Sequence, residues 1–293
     1  MAKGAVNIDC ILDAKAEVGE GPAWDASTGS LLWVDILRCE VHQYDPVASS
    51  DRVIRLPDYV GAVVPRRRGG MVVAMRGGFH YLNPETESIE LLAEVETDQP
   101  THRFNDGKCD PSGRFWAGTM ELNENRPNGV LYCLEPDLRV RATVHGVTIS
   151  NGLGWSPDQR TMYYIDTPTK VVSAFDYDPA TGALTRRRSV LRIEHGFPDG
   201  MAVDSEGMVW VAHWGGYRIS RWNPDSGTLL EEFPVPTAQV SSLAFGGPDW
   251  RQIYITTAAR GLSTAQREQE PLAGGIFTMQ SPVPGLPTQE FAG

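Results

Sequence analysis

Six times along the chain a tight turn leads into a short strand built round one large side chain. "DASTGSLLWVDI" centres on Trp33, "RRRGGMVVAM" on Val72 and "DPSGRFWAGTM" on Trp116. "SPDQRTMYYIDT" centres on Tyr163, "DSEGMVWVAHW" on Trp210 and "GPDWRQIYITTA" on Tyr254. The spacing is roughly 40–47 residues, the period of β-propeller blades. After each unit comes a second strand that ends in turn residues, such as "EVHQYDP", "GVLYCLEP" and "RISRWNP". A further strand often follows, as in "RVIRLP" and "LLEEFPVP". One such sheet cannot hide both of its faces, so six stacked in a ring is the economical packing. The chain is therefore predicted to be all-β, a six-bladed β-propeller spanning residues 1–293 as one domain.

Ring closure has a candidate. The last unit lacks a good fourth strand, while the N-terminal "AVNIDCILD" precedes the first unit and has no other assignment. Pairing the two protects both as edge strands. Only "STAQREQEP" (263–271) carries cap and charge signals for a short helix. The aligned aromatics are expected in the core between blades.

Charge and cysteine usage narrow the partners. A formal net charge of −11 comes with no basic stripe, since "RRR" at 66–68 and 186–188 sits each time beside a turn. Nucleic acid, which is bound through clustered Lys and Arg, is not an expected partner. No apolar run approaches the roughly 18–20 residues that span a bilayer, and no signal-peptide h-region is seen, so neither membrane nor export is expected. Cys10, Cys39, Cys109 and Cys133 form no C-x-x-C pair and read as buried free thiols of a reducing cytoplasm. A closed ring needs no second chain, and the protein is expected to be a monomer.

The repeat register brings together the unusual polar residues. Eleven to thirteen positions upstream of the aligned residue stand Glu20, Gly61, Asn105, Asn151, Asp199 and Ser241/Ser242. These positions start the predicted innermost strands and would all face one mouth of the channel. Glu20, Asn105, Asn151 and Asp199 make an all-oxygen set suited to a hard divalent cation. Taken singly, "NDG", "SNG" and "PDG" are turn formers. Glu20 in "GEGP" is harder to explain as a turn, and four such residues at one register point to a site. His213 and Trp214 fall near the same mouth, with a structural role for His213 equally open. No G-x-S-x-G elbow occurs, so a serine hydrolase mechanism has no support.

The blocks "GEGPAWD", "RFNDGKCDPSGRFWAGTM", "SNGLGWSPD" and "PDGMAVDSEGMVWVAHWGG", in this order and across the whole chain, resemble the SMP-30/gluconolactonase/LRE family. The resemblance implies one divalent metal ion (Ca, Mg, Mn, Zn or Fe) on Glu20, Asn151 and Asp199. It also implies substrate contacts from Arg103 and Asn105, with Asp106 beside them. In animal members an acid shortly after G-T-M also contacts substrate; that position is Asn123 here, with Glu121 and Glu124 beside it, and Glu121 and Asn123 are the expected substrate contacts. The expected activity is metal-dependent hydrolysis of a sugar lactone, with Asp199 as candidate base. The rival readings are a non-enzymatic calcium-binding or scaffold propeller, and a propeller esterase or phosphotriesterase.

Overall fold

Turn signals every few residues leave only short strands, and short strands pair with their nearest neighbours. In the computed structural model, which describes residues 7–293, they form six four-stranded antiparallel sheets. Blade one runs through Gly19–Asp25, Ser30–Asp35, Glu40–Asp45 and Ser50–Arg55. Blades two to five repeat this order from inner strands Val60–Pro65, His102–Cys109, Ser150–Trp155 and Phe197–Val203. Each inner strand touches the next round a closed ring, and Val240–Gly246 of blade six returns to Gly19–Asp25. The chain is a six-bladed β-propeller.

The N-terminal strand closes the ring. Asp9–Leu12 pairs antiparallel with Ile276–Gln280 as the outermost strand of blade six. Residues 5 and 6 of the expected strand lie outside the described residues. The short helix is Thr264–Gln269, and Ser263 and Gln266 form a capping box at its start. No helix among the described residues is long and apolar enough to cross a membrane.

Buried clusters fill the gaps between successive blades. Leu32, Val34, Val63 and Val73 sit between blades one and two, and Trp24, Trp33 and Tyr254 between blades six and one. The aligned residues Trp33, Val72, Trp116 and Trp210 are 0% exposed. Of the cysteines, Cys109 and Cys133 are buried, whereas Cys10 and Cys39 are only half-buried, short of the full burial expected for all four. Their strand-edge positions in "DCIL" and at the end of a hairpin leave one side open.

Two blades share a local lock. In "DPSGRFW" the Asp110 Oδ1 accepts from Ser112 N and Arg114 N, both at 2.9 Å, and closes the turn. Its Oδ2 accepts from Trp116 Nε1 at 2.9 Å and Tyr177 Oη at 2.6 Å. In "DSEGMVW" Asp204 does the same, with Glu206 N and Met208 N on Oδ1 and Trp210 Nε1 and Arg221 Nε on Oδ2. The six-residue offset from Asp to Trp carries this. Blade one spaces Asp25 and Trp33 two residues further apart, and Trp33 Nε1 is left without a partner.

Asp204→Ala takes the acceptor from Arg221 Nε, the indole N–H and two turn amides, leaving Arg221 only its Glu206 and Glu231 partners, and is expected to cost roughly 3 kcal/mol of stability. Urea denaturation of this variant beside Asp25→Ala, whose carboxylate meets only hydroxyls and one amide, should show the larger loss at Asp204.

Candidate functional site

All six inner strands slip register near their starts, and the slips fall at equivalent places. They lie at Glu20/Ala23, Val60/Ala62, Phe104/Asp106, Ser150/Leu153, Pro198/Met201 and Val240/Ser242. A bulge twists a strand and re-aims the side chains beside it. Here it turns polar residues into the channel. "NDG", "SNG" and "PDG" are therefore strand segments, not turns, and their glycines serve close approach. A Cβ on Gly152 would lie 2.7 Å from the Asp199 carbonyl oxygen, and one on Gly61 would lie 2.5 Å from the Phe104 carbonyl carbon.

Glu20, Arg103, Asn105, Asn151 and Asp199, drawn from four blades, are all buried and line one cavity of about 350 Å³ at this mouth. A chain of hydrogen bonds fixes the amides. Arg103 Nη1 donates to Asn105 Oδ1 at 2.7 Å and to the Phe104 carbonyl at 2.9 Å. Asn105 Nδ2 donates to the Ser150 carbonyl at 2.8 Å and to Asn151 Oδ1 at 3.1 Å. Asn151 Nδ2 donates to Thr167 Oγ1 at 2.7 Å, and Thr167 donates on to the Pro198 carbonyl at 2.8 Å. Asn151 is thereby held with its carbonyl oxygen towards Asn105, and that oxygen keeps a second lone pair.

The electrostatics are strained. Glu20 and Asp199 lie within hydrogen-bonding reach of each other. Burial, and then the nearby Asp106, push the Glu20 carboxyl up to about 8. Burial, and then Glu20, hold Asp199 well above the usual carboxylate range. Arg103 is pulled down to about 10 by burial and stays protonated at neutral pH. Two buried carboxylates that repel need a proton or a cation between them. Two anionic groups plus the carbonyl of Asn151 supply three oxygen donors, which fit a divalent cation. No group of three His, Cys, Asp or Glu among the described residues is arranged to hold a metal.

The other expected residues fall elsewhere. Asp106 is buried one step deeper and is not part of the cavity wall; its Oδ1 accepts from Gly107 N at 2.7 Å. Below it, Lys108 Nζ donates to the Met201 carbonyl at 2.6 Å beside a second cavity of about 230 Å³ at the opposite mouth. Glu121 is buried behind the wall, opposite His102, and Asn123 is exposed. The acid that reaches the cavity is Glu124. The turn is closed by Glu124 N donating to the Glu121 carbonyl at 2.9 Å, with Glu124 left-handed at φ 59°.

Several cavity residues carry no motif, namely Thr167, Phe197, Gln239 and Arg260. Strand direction could have found them. An inner strand starts at this mouth, so the second strand ends there, and the connection between second and third strands must rim it. Thr167 and Arg260 lie on such connections, and Trp214 ends a second strand. His213 faces away from the cavity. Its Nδ1 lies 2.9 Å from the His195 carbonyl and its Nε2 lies 2.5 Å from Ser220 Oγ, a satisfied structural role.

The fold and this polar mouth define a propeller with one buried polar cavity at an end of its channel. A sequence profile described as SMP-30/Gluconolactonase/LRE-like region matches residues 18–259. Regucalcin of Xenopus laevis is 39% identical over 298 residues, covering 99% of each chain. The candidate sugar lactone lactonase YvrE of Bacillus subtilis strain 168 is 37% identical over 290 residues, covering 98% of this chain and 99% of its own. A solved calcium-binding protein, regucalcin, of Agrobacterium tumefaciens strain C58 superposes with a TM-score of 0.94 at 28% identity, covering 98% of each chain. The chain belongs to the SMP-30/gluconolactonase/LRE-like family.

Burial lowers His213 from 6.5 to about 4. Between those values the unfolded chain binds more protons than the folded one. Stability therefore falls as pH drops through that window, by on the order of 2–3 kcal/mol. His213→Gln should flatten this acid limb, as read by thermal unfolding from pH 7 to pH 4.

Proposed function

We propose that the protein hydrolyses a sugar lactone, such as glucono-, xylono- or arabinonolactone, to the open sugar acid. One divalent metal ion would be held by Glu20, Asn151 and Asp199. The observation that carries this reading is the pair of buried, mutually repelling carboxylates beside a fixed carboxamide, in a cavity that also holds a buried guanidinium. The names of the relatives support the substrate class.

When bound, the cation would supply Lewis acidity, polarising the lactone carbonyl and lowering the pKa of a coordinated water. The chain's own residues do the rest. Asp199 takes the proton of the attacking water on its carboxylate and passes it to the ring oxygen as the acyl C–O bond breaks. Arg103, anchored through Nη1 to Asn105 and the Phe104 carbonyl, presents its fork to the developing oxyanion and then to the product carboxylate. Asn105 holds both Arg103 and Asn151 in place, and so ties the substrate side to the metal side. Met120, Ile149 and Trp214 form apolar wall against which the C–H faces of a sugar ring pack.

A pH-drop assay over gluconolactone, xylonolactone, arabinonolactone and a paraoxon-like ester, with and without EDTA, tests the reading. Turnover of a sugar lactone that EDTA abolishes is expected. Metal binding without turnover of any lactone would instead favour a calcium-binding role, the property for which the Agrobacterium relative is described.

Asp199→Asn should lower kcat by roughly 10³-fold or more, the scale of a lost general base at a metal. The same change removes one of two buried carboxyl groups that resist ionising together. The metal-free variant should therefore melt at or above the wild-type temperature while gaining less on metal addition, which calorimetry reads directly.

A further inference from the structure

Blades three and six stand opposite each other in the ring, three blades apart in either direction. An ion pair nevertheless joins them. Arg260 Nη1 lies 2.8 Å from Glu124 Oε1, and both side chains line the cavity. Arg260 follows the second strand of blade six, and Glu124 follows the second strand of blade three. A contact between opposite blades has to cross the mouth above Glu20, Asn151 and Asp199. Both side chains are more than a third exposed, at 39% and 36%, so the bridge opens at little cost.

A third residue belongs to the same side. Gln239 precedes the inner strand of blade six and lines the cavity, and its Oε1 is buried with no hydrogen-bond partner. Its backbone is pinned, the carbonyl accepting from Ala258 N at 2.9 Å, and Gln239 bridges to Trp214. The residue lines the cavity while this oxygen is buried beside it, so the acceptor carries a desolvation penalty that turning to meet an incoming hydroxyl relieves.

We propose that Gln239, with the Arg260–Glu124 bridge, determines specificity by reading the hydroxyl groups of the substrate at the end of the cavity away from the bond that breaks. Gln239 Oε1 accepts a hydrogen from one hydroxyl. The bridge opens to admit the ring and recloses over its hydroxylated edge, with Arg260 donating and Glu124 accepting. The substrate class is then a polyhydroxylated lactone, and an unsubstituted ring of the same size is selected against. A site built to bond a hydroxyl discriminates against a ligand that lacks it, because its own polar groups stay unpaired.

This inference rests on the lactone reading and deepens it, so the test separates the two. Wild type, Gln239→Leu, Arg260→Ala and Glu124→Gln are assayed on glucono-1,5-lactone and on δ-valerolactone, the same ring without hydroxyls. Their affinity for glucono-1,5-lactam, which keeps the hydroxyls and resists hydrolysis, is measured by calorimetry. Unchanged melting temperatures certify the fold of each variant.

The ratio of kcat/KM for gluconolactone over valerolactone is expected to fall about tenfold in each variant, with lactam affinity falling in parallel. An unchanged ratio with unchanged lactam affinity overturns the assignment and leaves the lactonase reading standing. Wild type that binds lactam and loses affinity in the variants, but hydrolyses neither lactone, sinks the lactonase reading and keeps the recognition site. Wild type that neither binds the lactam nor turns over a lactone overturns both.

Discussion

The close approach of six inner strands round one axis is the constraint from which the rest of the molecule follows. Glycine makes it sterically possible at the contacts between blades. A Cβ at Gly200 would lie 1.9 Å from Ser242 Oγ, and one at Gly152 would lie 2.9 Å from Met201 N. The same approach leaves no room for a straight ladder, and each inner strand relieves itself with a bulge near its start. Because the six bulges are equivalent by the repeat, the side chains they redirect are aimed at one place. The site is in this sense a by-product of ring closure.

Crowding polar groups there has an electrostatic cost. Burial raises the proton affinity of Glu20, Asp106 and Asp199, Asp106 adds to it at Glu20, and Glu20 and then Asp106 add to it at Asp199. Among the described residues, Arg103 alone of the cavity's inner-strand side chains opposes them with a positive charge. The scaffold tolerates this because its stability is built elsewhere, in the clusters between blades and in the locks at Asp110 and Asp204. In the proposed reading, acidic groups crowded into a rigid ring are what would favour a bound cation at this mouth.

Much of this was legible in the chain. The period placed the second strands, and through them the register at which Glu20, Asn105, Asn151 and Asp199 stand. It also left the N-terminal strand without a partner until the last blade was counted. Local turn chemistry misleads at the same positions. Asn-Asp-Gly and Ser-Asn-Gly look like turns because their φ/ψ tolerance is read without their neighbours, yet in the fold they lie in strands pressed against the next blade. The loop after Met120 shows a second limit. Sequence counting favours Glu121 and Asn123, and only the turn between 121 and 124 decides that Glu124 faces the cavity instead.

What the sequence by itself determined is whatever recurs with its period: the blades, the core residues between them, and the inner-strand residues that share a register. What the tertiary structure decided is whatever depends on contacts across the ring. Gln239, Arg260 and Glu124 carry no motif and belong to connections of unequal length. Arg260 and Glu124 meet only because the ring, once closed, sets blades three and six face to face over a single mouth. A repeat imposes order along the chain, but a contact across a diameter exists only after closure has fixed the distance between the two sides.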